Sequence, residues 1–216
     1  MDYSAFLYLG AMVATLIGGM ANLVVLLVPG GRRSRNLATG GVMLAAAVIV
    51  SMAAAGLERG SASGQVLGLM VYGLALAAQF LIVRTFWPSG GRMTLWLSLS
   101  YGLLVMIVAA IMLASTSLPL RSLTPSGFLL LCALTVMVRA FMIREKLIGG
   151  LFAVKSAVAA ARLALLLVLP DAVKLIDFPV MQVSTALALV WVPTVASLWL
   201  RMRSAGRERQ PVSAGP

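Results

Sequence analysis

At 216 residues, 61% hydrophobic and 11% charged, with a mean hydropathy of +1.03, the chain lies well outside soluble composition. It has no polar stretch long enough for a separate soluble domain. A net charge of +11 would suggest nucleic acid in a soluble protein. Here the basic residues flank apolar segments, so membrane topology accounts for them and no nucleic-acid partner is expected.

Seven apolar segments follow one another at 5–28, 38–57, 66–87, 95–115, 126–143, 151–169 and 179–200. Each is near the ~20 residues that a helix needs to cross ~30 Å of hydrocarbon. The expected fold is all-α: a polytopic membrane bundle with a seven-helix domain over 1–202 and a disordered basic tail over 203–216. Segment one opens on Met-Asp-Tyr-Ser, with no basic region before it and a run longer than a signal-peptide core, so no cleavage is expected. Its Gly10, Ala14, Gly18 and Asn22 form a smooth stripe at four-residue spacing. Gly41 with Ala45 in segment two, and Gly73 with Ala77 in segment three, repeat the spacing that lets membrane helices approach closely. The breakers Pro29, Pro88, Pro119, Pro125, Pro170 and Pro179 lie between or beside segments. Pro193 instead sits inside segment seven, where it removes a backbone hydrogen bond and marks a kink or a hinge. Tyr3, Tyr8, Trp87, Trp96 and Trp199 lie near segment ends, as interfacial anchors do.

The connections alternate in charge. Arg32, Arg33, Arg35, Arg84, Arg92, Arg144, Lys146, Arg201, Arg203, Arg207 and Arg209 belong to one side; Arg59, Arg121 and Lys174 belong to the other. Eleven against three places the N-terminus outside and the C-terminus in the cytoplasm of a bacterial-type inner membrane, with the tail arginines near anionic lipid. A candidate internal repeat pairs Arg35–Gly41 with Arg144–Gly150, an offset that also pairs Gly18 with Gly127. The resulting 3-1-3 organisation resembles the topology of SWEET-type sugar transporters, built from parallel repeats. The Pro-Gln dipeptide typical of the wider PQ-loop superfamily is absent.

Toward the C-terminal half, three basic residues fall inside segments. Arg139 and Lys155 are shallow enough to snorkel, and Lys155 is expected to point toward its own interface. Arg162 lies ~10 Å from the nearer end of segment six at 1.5 Å per residue. A cation near mid-membrane costs ~2.5–3.5 kcal/mol on insertion scales and usually faces the bundle interior or water. Lys155 and Arg162 are seven apart and share a face. No carboxylate lies well inside a segment, since Glu58, Asp171 and Asp177 are at ends or in connections. Gln79 in segment three, Ser98, Ser100 and Tyr101 in segment four, and Gln182, Ser184 and Thr185 in segment seven offer neutral acceptors. The candidate ligand or partner contacts are therefore Arg162, Lys155, Gln79 and Gln182, with Pro193 as candidate hinge.

The chain contains no histidine, and its single cysteine, Cys132, lies inside segment five. Ser-His and Cys-His catalysis, His-ligated haem, common zinc sites and an intramolecular disulfide are thereby excluded. Segment seven has no lysine for a retinal Schiff base, and no glycine-rich turn has phosphate-loop spacing. No enzyme, metal or cofactor is expected. The expected role is an accessory or sensory subunit of a membrane complex, acting with a membrane-protein partner or as a homo-oligomer. The alternative is a small transporter or exporter of an anionic or amphipathic solute that uses Arg162.

Overall fold

The computed structural model describes residues 3–53, 62–87, 118–169 and 178–208, with helical fragments at 99–100, 102–103, 106–107 and 110. Among these residues every regular element is helical. The helices are α1 (Tyr3–Leu27), α2 (Arg32–Ala53), α3 (Ala62–Thr85), α4 (Leu118–Met142), α5 (Lys146–Val168) and α6 (Phe178–Glu208). Five are long and apolar enough to cross a membrane: the stretches Phe6–Leu27, Arg32–Met52, Val66–Thr85, Lys146–Val168 and Val183–Gly206. The apolar part of α4, Ser126–Met142, is shorter, and most of segment four lies outside the described residues.

Helix boundaries extend beyond the apolar segments because hydropathy misses polar first and last turns. α2 begins at Arg32, so its arginines form the first helical turn rather than a loop. Pro119 and Pro179 lie in the first turns of α4 and α6, where a missing N–H forfeits no intrahelical bond. α6 runs on to Glu208, six residues into the stretch read as a disordered tail. Arg203 within that extension is tied to Glu145 at 2.6 Å.

α2 is the central helix, packed against α1, α3 and α6. α4 and α5 form a hairpin, and α5 also packs on α6. The hairpin turn is a Schellman motif. Glu145 N–H donates to the Ala140 carbonyl at 2.9 Å and Arg144 N–H to that of Phe141 at 3.0 Å. Arg144 occupies the left-handed position with φ of 61°, a place that usually takes glycine. The core joins Leu37 and Leu44 of α2, Ile82 of α3 and Phe86 just past it, Val136 of α4, Phe152 of α5 and Val190 of α6. Phe86 and Phe152 meet edge to face with centroids 6.1 Å apart. The outward positions are also apolar: Met20 and Val24 on α1, Met70 on α3, Val138 on α4, Val154 and Leu167 on α5. Water would oppose that exterior; hydrocarbon suits it.

The helix ends gather by charge. Arg201 near the end of α6 donates to the Val28 carbonyl at the end of α1, and Arg203 reaches the α4–α5 turn. Arg139 near the end of α4 donates to the Phe86 carbonyl just past α3 and stacks 5.6 Å over Trp87. The C-terminal ends of α1, α3, α4 and α6 thus share one basic end with the N-terminal ends of α2 and α5. Since α3 and α4 both finish there, the chain leaves α3 at the basic end and enters α4 at the opposite one.

The small-residue stripes have different fates. Gly41 and Ala45 pack on α1: a Cβ at Gly41 would overlap the Asn22 amide, and Ala45 lies against Gly19. Gly18 fits under Val190 and Trp191 of α6, whereas Gly10 faces open space. The buried line on α1 is Ala11, Thr15, Gly18, Asn22 and Val25, which follows alternating four- and three-residue steps rather than uniform fours. Gly73 and Ala77 are exposed.

Candidate functional site

α5 buries Ile148, Phe152, Lys155, Ala159 and Leu166, the spacing of one helical face. Lys155 lies on that line, and this corrects the expectation that it snorkels. Only 2% exposed, it turns into the bundle, and its Nζ donates to Gln79 Oε1 on α3 at 3.3 Å. The tilt of a Cα–Cβ bond sets direction along the helix axis, but the azimuth decides whether a side chain meets lipid or a neighbouring helix. Phe152 supplies an aromatic face 5.4 Å from the ammonium, and Cys132 of α4 lies nearby.

Arg162 lies two turns further along α5 and is partly buried. Its neighbour on α3 is Tyr72, seven residues before Gln79. The two couplings, Lys155 with Gln79 and Arg162 with Tyr72, step in opposite directions along the two helices. α3 and α5 are therefore antiparallel, with a polar seam between them spanning ~10 Å.

The seam is rich in donors and poor in acceptors. Gln79 Nε2 and Arg162 Nε are both buried and have no hydrogen-bond partner among the described residues. The Lys155 ammonium has three protons and its recorded acceptor is the Gln79 carbonyl oxygen. Among the described side chains the acidic one is Glu145, at the basic end and away from the seam. Glu58, Asp171 and Asp177 lie outside the described residues, as do Ser98 and Tyr101. Orphaned buried donors carry a desolvation cost of about 1–3 kcal/mol each, more where charged. Such a seam calls for an acceptor: a carboxylate, a phosphate, a carbonyl or water.

The sequence-predicted residues divide accordingly. Gln79, Lys155 and Arg162 share the seam. Gln182 lies on α6, with its side chain outside the described residues. Pro193 is buried within α6 at a second polar cluster. There Asn22 Nδ2 donates to Thr194 Oγ1 at 2.6 Å and to the Gly18 carbonyl at 2.9 Å. Ser197 Oγ lies 3.2 Å from Asn22 Oδ1, and Thr194 Oγ1 donates back to the Val190 carbonyl. All three side chains are fully buried, and they fasten α1 to α6 beside the proline. Asn22 entered the sequence reading as one more member of a smooth stripe. An amide in an otherwise apolar segment, opposite Thr194 and Ser197 three residues apart, was the available signal.

Two cavities among the described residues lie away from the seam. One is bounded by Trp87, Thr135, Val138 and Arg139, the other by the basic residues of the helix ends. Comparisons with protein families, with characterised proteins and with solved structures find no match to this chain.

Proposed function

We propose that the chain is a non-enzymatic, multi-pass subunit of a bacterial-type inner-membrane complex, in an accessory or sensory role, with α5 as its partner-binding helix. The observation that carries this reading is the buried Arg162 Nε, which has no acceptor among the described residues. The face of α5 beside it is exposed and smooth, with Ala157, Ala161 and Ala164 at alternating four- and three-residue steps. Small residues let a second helix come close, and a carbonyl or carboxylate on that helix would complete the guanidinium.

In this reading the basic end is cytoplasmic, the N-terminus lies outside, and segment four is the return crossing between α3 and α4. Seven spans then satisfy both the arginine asymmetry and the common end of α3 and α4. A cysteine at Ser204 is expected to react with a membrane-impermeant thiol reagent only from the cytoplasmic side, and one at Ser117 only from outside.

Mild-detergent capture of the tagged protein tests the partner. A stoichiometric membrane protein held by wild type, and lost in both Arg162→Ala and Ala161→Leu, is the expected result. A lone, folded protein in every sample would overturn the stable complex. It would transfer the weight to the alternative, a transporter or exporter of an anionic or amphipathic solute, to be measured as flux in proteoliposomes with Arg162→Ala as the comparison.

A further inference from the structure

The basic end holds a feature that positive-inside topology does not require. Topology needs cations near helix ends; it does not need them to converge on a concavity. Yet a cavity of ≈450 Å3 opens there, lined by Arg32, Arg33 and Ser34 of α2, Glu145 of the hairpin turn, and Leu200 and Arg203 of α6. Its size falls within the ~300–1,000 Å3 of small-ligand sites. We propose that this cavity binds a phosphate group, carried either by an anionic lipid headgroup or by a free phosphate-bearing solute.

The charge balance favours an anion. Three arginines and one carboxylate line it, and both oxygens of Glu145 lie 2.6–2.7 Å from the same Arg203 nitrogen. Arg32 and Arg33 are exposed and have no ion-pair partner among the described residues. Their planar donor forks match the geometry of phosphate oxygens, which a point-like ammonium would not. The first turn of α2 adds to this without carrying it. The first bond of that helix runs from Arg35 N–H to the Gly31 carbonyl, and Gly31 has no side chain to cap the earlier N–H groups.

Each wall comes from a different part of the chain, so the cavity exists only when α2, the α4–α5 turn and α6 are assembled. Beside it, Leu27 and Val28 at the end of α1 and Met202 of α6 expose apolar surface. A phosphate here would sit with hydrocarbon-compatible side chains next to it, the arrangement that a lipid headgroup and its acyl chains present. The inference is independent of the partner reading at Arg162, which lies on another part of α5.

The test uses the full-length protein in phosphatidylcholine nanodiscs, titrated separately with short-chain phosphatidylglycerol and with inorganic pyrophosphate. Binding is read as a thermal shift and by calorimetry. The double variant Arg32→Gln/Arg33→Gln is expected to lose about tenfold or more in affinity, as two charge-assisted contacts disappear. Arg35→Gln removes the same charge one position beyond the cavity lining and is expected to change binding by less than about twofold, the effect of a screened surface charge. Glu145→Gln is expected to tighten binding about two- to fivefold, the range of one exposed charge pair. A merely structural role for Glu145 would weaken it instead. If the double variant does not fold, Arg203→Lys keeps the charge, loses the fork and is expected to bind several-fold more weakly. Arginine-dependent binding of the lipid alone identifies a headgroup site, and of pyrophosphate alone a solute site. Binding of both makes phosphate itself the determinant. Absence of binding by either probe, equal loss in Arg35→Gln, or weakening in Glu145→Gln would overturn the proposal.

Discussion

Replacing Gln79 by Leu should reveal how strongly the α3–α5 seam depends on one amide. The substitution puts an apolar side chain of similar size in place of the amide and removes the acceptor that lies 3.3 Å from Lys155 Nζ. With Lys155 only 2% exposed, the ammonium has no route to water without displacing core side chains. A hydrogen bond to a charged group is worth about 1.5–3 kcal/mol net, and breaking a buried charged pair costs about 3–5 kcal/mol. The 3.3 Å separation is long. Contacts between membrane helices reach only about 1.7 kcal/mol in measured cycles, so the lower end applies and Gln79→Leu should cost about 2 kcal/mol. Lys155→Met retains most of the stem and removes the charge. It leaves the Gln79 amide unpaired at both ends, yet relieves a desolvated cation, so its net effect should lie within about 1 kcal/mol of wild type. Lys155→Met/Gln79→Leu should then be more stable than Gln79→Leu alone by about 2 kcal/mol, because it replaces the pair by apolar contacts. Reversible unfolding in mixed mild-detergent and SDS micelles, followed by far-UV circular dichroism, measures all four corners of the cycle. Additive single effects, or a Gln79→Leu cost below about 0.5 kcal/mol, would refute a coupled buried pair.

Three further outcomes follow from the packing. Gly41→Ala should cost about 1–3 kcal/mol by driving a methyl into the buried Asn22 amide, and Asn22→Ala should relieve much of that cost, a non-additivity the same unfolding assay detects. Gly18→Ala should destabilise through Val190 Cγ1, 2.8 Å from the new methyl, while Gly10→Ala, with nothing nearby, should be neutral or stabilise by up to about 1 kcal/mol. Arg144→Gly should stabilise the hairpin by about 1 kcal/mol, since glycine takes the left-handed position without a Cβ clash; a loss of thermal stability would show that the arginine side chain contributes more than its backbone costs.

The helical class was legible because apolar runs of membrane length leave few alternatives, and the connections' charge asymmetry matches the basic end the structure assembles. The depth of Arg162 in its segment is readable from position alone, and the structure has it partly buried. Lys155 was misjudged because distance from a helix end is readable in one dimension, whereas burial depends on which side of α5 faces α3. Ile148, Phe152 and Ala159 on the same line held that information. Gln79 was found as a neutral acceptor, but its pairing with Lys155 joins positions 76 apart and needed the fold. In the sequence Glu145 is a lone acid between two basic residues, with nothing to mark its partner. Only the approach of α6 gives it Arg203 and makes it a wall of the basic cavity.

The Asn22–Thr194 bond also has a meaning in time. Its partners are 172 residues apart, so when α1 enters the bilayer the side chain that will satisfy its amide has not yet been synthesised. The α4–α5 hairpin is different: its turn is closed by local bonds and can form as soon as both helices emerge. Until α6 arrives, Asn22 remains a polar group in hydrocarbon with only its own helix to bond, and the walls of the basic cavity stand apart. The last helix therefore completes both the polar core and the surface site in one step. A chain truncated before α6 would be an unfinished intermediate displaying an amide for membrane quality control to recognise.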